Sequence, residues 1–239
     1  MAAIIRKCVY LVFFYLPERL VDQCIFEIVG FFGRLCSRSY QPNDRGEALI
    51  NLGSGGAVVP GFVNIDFFGT AGVDYSADLR FPLKIPSNTA CGIFSEHTLE
   101  HLTYTETENL LRECYRIIVP GGGIRIVVPD LSIFMQKYID NDLEWFRHWE
   151  QLYFKDSANS ERSSRTLLSP VGAVSFVTQE YGHVSCWDFP AMKIVLEKAG
   201  FSRVKKVDFR DGEHTHLMIE QDCNARRFVS LYVEAEKSA

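Results

Sequence analysis

Ala48-Leu-Ile-Asn-Leu-Gly-Ser-Gly-Gly56 is the stretch on which the fold turns. A short apolar run breaks directly into a glycine-rich turn, which is how a buried strand ends when the backbone must reverse sharply. Phe62-Val-Asn-Ile-Asp66 is a second strand and ends on a carboxylate; a third is expected near Val73–Ala77. Cys91-Gly-Ile-Phe-Ser95 is continuous, as suits a strand covered on both faces, and runs into Glu96 and His97.

Outward from this core the pattern switches period. Leu110, Leu111, Cys114, Tyr115 and Ile118 recur at helical spacing within 105–118, and Pro120-Gly-Gly-Gly123 stops that helix. Ile124-Arg-Ile-Val-Val128 is a fifth strand, closed by Pro129-Asp130; 189–199 is an amphipathic helix ended by Gly200. Val204–Phe209 and Phe228–Ala235 complete the strands. Strands alternating with helices predict an α/β domain with a mainly parallel sheet. In such sheets ligands bind beyond the carboxyl ends of the strands. Gly53, Asp66, Asp78, His97 and Asp130 all fall there.

The chain has 239 residues, 47% of them hydrophobic and 13% aromatic, enough for one packed domain and too short for two enzymes. Its 25 basic and 30 acidic residues give a net charge of -5 and no basic stripe, which argues against nucleic acid as a partner. Seven scattered cysteines, none in a C-x-x-C pair, read as reduced thiols of a cytoplasmic protein.

Residues 1–40 read as an apolar helical appendage and 41–239 as the main domain, with Arg38–Arg45 as linker and 142–183 as a substrate-side insertion. Cys8–Leu16 and Cys24–Phe32 are each too short to span a bilayer. Nothing after Leu16 resembles a signal-cleavage site. Two readings of residues 1–38 stand: helices packed on the domain or on a second copy, or a peripheral anchor with Arg6, Lys7, Arg19, Arg34 and Arg38 at lipid headgroups, at the inner face of the membrane.

The chemistry concentrates at the strand ends. A Gly-x-Gly turn lets the backbone approach a ligand, Asp66 is placed to accept from ribose hydroxyls, and Asp78 can meet an exocyclic adenine amine with Leu79 on the ring. Gly53-Ser-Gly-Gly-Ala57 lacks the third glycine of a dinucleotide fingerprint, which disfavours a nicotinamide dehydrogenase. Glu96-His-Thr-Leu-Glu-His101 would set His97 and His101 on one helix face, but it is not the H-E-x-x-H order of zinc proteases. The expectation is therefore no metal, with Glu96 and His97 lining the pocket. His97 and His183 are the candidate general bases. Asp130, Tyr181, His214 and His216 are further acceptor-side candidates, and Trp145, Trp149 and Tyr153 are available to stack on a sugar face.

Ile50-Asn-Leu-Gly-Ser-Gly55, Val63-Asn-Ile-Asp66, Asp78-Leu79, Ser95-Glu-His-Thr-Leu-Glu-His101, Arg116-Ile-Ile-Val-Pro-Gly-Gly122 and Ile126-Val-Val-Pro-Asp-Leu131 resemble the type 11 group of class I methyltransferases. Together with Gly182-His183, Leu196-Glu-Lys-Ala-Gly-Phe201 and Gly212-Glu-His214, they are similar to a subfamily associated with bacterial surface-glycan synthesis. The resemblance implies a Rossmann-like seven-stranded sheet with helices on both faces and an antiparallel last strand. It also implies S-adenosylmethionine as cofactor and a sugar or related small acceptor; the residues expected to hold the cofactor are Asn51, Gly53, Ser54, Gly55, Asp66, Asp78, Leu79, Glu96 and His97. Two alternatives remain: a catalytically silent partner of a glycosyltransferase, and a membrane-associated lipid or quinone methyltransferase. Asn51 stands where many relatives carry an acid, and about ten residues separate Gly55 from Asp66, too few for a full crossover helix.

Overall fold

The computed structural model describes residues 18–36, 48–155 and 169–239. The run Cys8–Leu16, the linker and the middle of the 142–183 insertion lie outside them. Among the described residues seven strands form one sheet: β1 (Ala48–Leu52), β2 (Val63–Asp66), β3 (Tyr75–Ser76), β4 (Ala90–Glu96), β5 (Ile118–Pro129), β6 (Ser202–Val207) and β7 (Ser230–Glu236). Their spatial order is β3-β2-β1-β4-β5-β7-β6. The pairs from β3 to β5 are parallel, while β7 runs antiparallel to both β5 and β6. This is the expected mostly parallel α/β sheet with an antiparallel last strand. The chain runs outward from β1 to β3 and then returns to lay β4 on the other side of β1. That reversal opens a crevice at the carboxyl ends of β1 and β4.

One face is a helix-on-sheet core. Ile50, Leu52, Ile93, Ile126, Val128 and Leu231 pack under α2 (Tyr104–Ile117) and α6 (Phe189–Ala199) through Leu110, Cys114, Met192 and Leu196. Each such buried aliphatic side chain contributes about 1.5–3 kcal/mol. Local chemistry fixes the helix ends. Thr103 and Glu106 form a reciprocal capping box on α2. Asp188 caps α6, and Gly200, at φ 108°, ends it in the left-handed conformation.

A smaller cluster lies on the opposite face. Phe94, Val127 and Tyr232 lie beneath a single 3-10 turn, Thr215–Leu217, and its flanking loop. Gly92 and Gly123 are paired across β4 and β5. A Cβ on Gly92 would meet His216 and Leu217, and one on Gly123 would meet the His214 ring, so two missing side chains let this loop approach the sheet. Arg125, fully buried, holds it down: Nε donates to Glu220 at 2.6 Å, Nη1 to Glu234 at 2.7 Å, and both terminal nitrogens to the carbonyls of Asp211 and Asp208.

Of the expected appendage, the described part is α1 (Glu18–Cys36), which contains the run Cys24–Phe32. It packs on the β2–β3 edge: Phe26 stacks on Phe67 at 4.2 Å, and Gly30 gives the Phe67 ring room that a Cβ would fill. Leu20, Ile28, Phe31, Phe32 and Leu35 face solvent. Between β5 and α6 lie α3 (Leu131–Ile139), α4 (Leu143–Glu150), a π turn (Gln151–Lys155) and α5 (Pro170–Gln179). Phe134, Phe146, Trp149, Phe154 and Phe176 there form a second core, which α7 (Asn224–Val229) joins through Val229. Trp149 is buried and Trp145 stacks on Phe228, so these rings serve packing rather than an open sugar platform.

Candidate functional site

A cleft of about 430 Å³ sits at the carboxyl ends of β1 and β4, where the strand order reverses. Asn51, Gly53, Ser54, Gly55 and Gly56 form one wall, with Ala57, Val58 and Val59 beyond them; Phe94, Glu96 and His97 form the other. Gly53 has φ 73°, and a Cβ there would fall 2.1 Å from Thr98 Oγ1. Gly55, at φ 52°, and Gly56 would project a Cβ into open space. The Ser54 hydroxyl is buried and has no hydrogen-bond partner among the described residues.

The loop joining β1 to β2 contains no helix. Asparagines stitch it instead. Asn51 Nδ2 donates to the Ala57 carbonyl at 2.9 Å and to Asn64 Oδ1 at 3.0 Å. Asn64 in turn accepts from the Val59 amide and donates to the Val59 and Phe62 carbonyls and to Asp74. Asn51 thus braces the loop from the end of β1. Asp66, at the end of β2, accepts from the Gly55 amide at 2.8 Å and from the Phe68 amide at 3.0 Å. Each oxygen keeps a lone pair for a further donor.

Asp66 is not itself among the lining residues and reaches the cleft wall through the Gly55 amide; Asp78 and Leu79 also lie outside the lining. Leu79 belongs to the main core, and Asp78 is clasped by Arg80 at 2.8 Å and by Arg34 of α1 at 3.1 Å. Burial pushes the Asp78 carboxyl up, but the Arg80 hydrogen bonds and the two guanidinium charges outweigh it and hold the group below its usual range. Arg80 also grips Glu27 of α1 at 2.6 Å. The edge expected to meet an adenine amine is therefore tied to the N-terminal helix.

His97 sits just past β4 at φ 51°, outside any helix, and only Leu99–His101 forms a 3-10 turn. His97 and His101 accordingly do not share a helix face. His97 Nδ1 lies 3.1 Å from Glu100 Oε1 and Nε2 lies 3.0 Å from Ser230 Oγ. An ionised carboxylate only accepts, so Nδ1 carries the proton and Nε2 accepts from the Ser230 hydroxyl. A carboxylate holding the tautomer of a histidine is the arrangement that prepares a general base.

His183 stands apart, its Nδ1 2.7 Å from the Val177 carbonyl. Asp130 is buried, capping α3 through Ser132 and paired with Lys206 at 3.0 Å. His214 and His216 lie over the far face of the sheet, and Tyr181 packs against Phe176; none of these lines the cleft.

The lining residues that the sequence did not point to include Ile219, Gln221 and Arg226, from the segment between β6 and β7. The Gln221 amide donates to Glu96 Oε2 at 3.3 Å, and Arg226 Nη1 lies 3.8 Å from the same oxygen. Burial pushes the Glu96 carboxyl above its ordinary value despite these partners. No strand end or glycine turn marks this segment, so only the fold brings it to β4.

No protein-family model matches the sequence, and no curated protein does. Solved structures similar to it include a SAM-dependent methyltransferase from Archaeoglobus fulgidus, 15% identical with a TM-score of 0.46 over 92% of this chain and 95% of that one. Another is Haemonchus contortus phosphoethanolamine N-methyltransferase 2 in complex with S-adenosyl-L-methionine, at 12% identity and a TM-score of 0.45 over 84% of this chain. This chain spans half the length of that protein. A third is a SAM-dependent methyltransferase from Thermotoga maritima, 14% identical, TM-score 0.44, over 98% of this chain and 100% of that one. At TM-scores below 0.5 none of these likenesses bears on what this chain does.

Proposed function

We propose that residues 41–239 are a class I S-adenosylmethionine-dependent methyltransferase, with 142–183 as its acceptor-side insertion. The observation that carries this reading is the cleft at the strand-order reversal, walled by the glycine turn and tied to Asp66 through the Gly55 amide. The residues fit a nucleoside cofactor with an amino-acid tail. Asp66 would accept from the ribose hydroxyls. Gly55 and Gly56 leave room for close approach, and the Ser54 hydroxyl is a buried polar atom with no partner among the described residues. Glu96 and Arg226 offer opposite charges for the ammonium and carboxylate of the tail, which supplies what Asn51, in place of an acid, cannot.

Bound there, the cofactor supplies an electrophilic methyl group. The protein's task is to align an acceptor with it, and alignment alone can be worth about 7–11 kcal/mol. His97, its tautomer held by Glu100, is the candidate base for the acceptor hydroxyl's proton once its Nε2 exchanges the Ser230 hydroxyl for the acceptor's; His183 is the reserve candidate. The acceptor class, a sugar or related small molecule of glycan synthesis, follows from the motif resemblance. Calorimetric titration with S-adenosylmethionine tests the reading: one-to-one binding is expected, and no binding at millimolar cofactor overturns it. Binding without methyl transfer to any glycan acceptor would favour the silent partner of a glycosyltransferase.

One observation favours a membrane-associated variant. The outward face of α1 exposes Phe31, Phe32 and Leu35, as a helix lying at an interface would, whereas Arg34 turns inward to Asp78 instead of to headgroups. No helix among the described residues is long and apolar enough to cross a membrane. A peripheral position at the inner membrane face, with lipid or quinone acceptors, is the alternative.

A further inference from the structure

Beside the cleft, three side chains turn acceptor atoms toward one another. Glu100, fully enclosed in the 3-10 turn after β4, receives the amides of Val184 and Ser185 on its own carbonyl at 2.8 and 3.1 Å. The segment carrying His183 is thereby laced to it. A backbone carbonyl only accepts, so the His183 nitrogen facing Val177, Nδ1, carries a proton. In the neutral ring Nε2 is then a bare lone pair, and it faces Glu100 Oε1 at 4.0 Å. The His101 ring lies edge-on to that of His183, with centroids 5.0 Å apart. One ligating atom from each of Glu100, His101 and His183 lies within 4.8 Å of the others. A second, independent sign is Glu100 Oε2, buried with no hydrogen-bond partner among the described residues.

Lone pairs converging on a buried carboxylate repel unless a cation sits between them. Ring N–H groups donated to backbone carbonyls are also how metal-ligating histidines are commonly oriented. We propose that Glu100, His101 and His183 form a site for a divalent transition-metal ion of the zinc class, with solvent completing the coordination beside exposed His101. Two imidazoles and one carboxylate suit such an ion; calcium and magnesium prefer oxygen donors throughout. Ligands about 2.1 Å from a tetrahedral zinc stand about 3.4 Å apart, so the present atoms need to draw in by ~1 Å. The ion would clamp the 180–185 segment onto the turn that carries His97 into the cleft, since His97 and the site share the Glu100 carboxylate. The sequence alone pairs His101 with His97; the fold replaces that partner with His183.

The test is titration of the chelator-stripped protein with Zn²⁺ by calorimetry, and with Co²⁺ by visible absorption. One equivalent should bind with micromolar or tighter affinity, with cobalt d–d bands and a raised melting temperature. His101→Ala and His183→Ala should each weaken binding about tenfold or more. Because His101 is exposed, His101→Ala should melt like the parent protein in the absence of metal, which separates lost ligation from lost folding. Absence of binding at micromolar metal overturns the proposal, and so does binding of parental strength in the His101→Ala/His183→Ala double variant. Neither result depends on whether S-adenosylmethionine binds, so this proposal and the methyltransferase reading can fail separately.

Discussion

The carboxylate of Asp66 accepts the backbone N–H of Gly55 across 2.8 Å, so the end of β2 sets the shape of the turn that leaves β1. Asp66 therefore has two tasks in the proposed site: it holds the glycine loop and offers its remaining lone pairs to a ribose. Asp66→Ala should weaken S-adenosylmethionine binding about tenfold to a hundredfold, the range for hydrogen bonds to a charged group. Calorimetry on a variant whose melting temperature is preserved decides this, and unchanged affinity would remove Asp66 from the site.

Gly53→Ala places a side chain where φ is 73° and where a Cβ would overlap Thr98. The expected cost is about 1–3 kcal/mol of local strain, concentrated in the cleft wall. Thermal denaturation should report a modest loss of stability and cofactor titration a larger loss of affinity. Gly55→Ala meets the same backbone preference but no neighbouring atom, and should be the milder of the two.

Glu96 gives the site a pH dependence with a defined sign. Its carboxyl lies above the ordinary value of 4.5 because burial penalises the charge, so the unfolded chain ionises first. The contribution of Glu96 to stability is full below about pH 4.5 and is lost as pH rises through the folded value. Glu96→Gln should become progressively more stable than the parent as pH is raised over that window. Cofactor affinity should move the opposite way, tightening in the parent as Glu96 ionises to meet the ammonium. A pH-independent difference in melting temperature between the two proteins would contradict this account.

Arg125→Ala leaves Glu220 and Glu234 buried without their guanidinium. Removing one partner of such a cluster costs about 3–5 kcal/mol, which for a chain of this size corresponds to a fall of roughly 10 °C in melting temperature. Ile219 and Gln221, which flank Glu220, line the cleft, so cofactor affinity should fall as well. Scanning calorimetry together with a binding titration measures both.

Phe31→Ser/Phe32→Ser should leave the melting temperature within about 0.5 kcal/mol of parental stability, because both rings are exposed. If α1 lies at a membrane, the same variant should lose co-sedimentation with anionic vesicles. Retained co-sedimentation would dismiss that face of α1 as the anchor.

Much of the framework was legible from local chemistry. The strand β1 and the helix 189–199 end where a glycine turn, or Asp188 and Gly200, dictate, because capping and turn geometry act over a few residues. Strand ends likewise gave Gly53 and Asp66, since a sheet edge follows from chain order. The sequence did not reveal which groups cross to meet them. His97 and His101 looked like a helical pair until His97 took a positive φ. Asp78 looked free for a ligand until α1 brought Arg34 to it.

What the sequence by itself determined was the alternation of elements, the glycine turn after β1 and the acidic end of β2. Each of these is set by the preferences of neighbouring residues. Only the tertiary structure decided that Gln221 and Arg226 close the cleft, that Arg125 anchors their loop through Glu220 and Glu234, and that His183 reaches Glu100. Those contacts join residues distant along the chain. They are selected by burial and charge pairing, which have no period in the sequence to betray them.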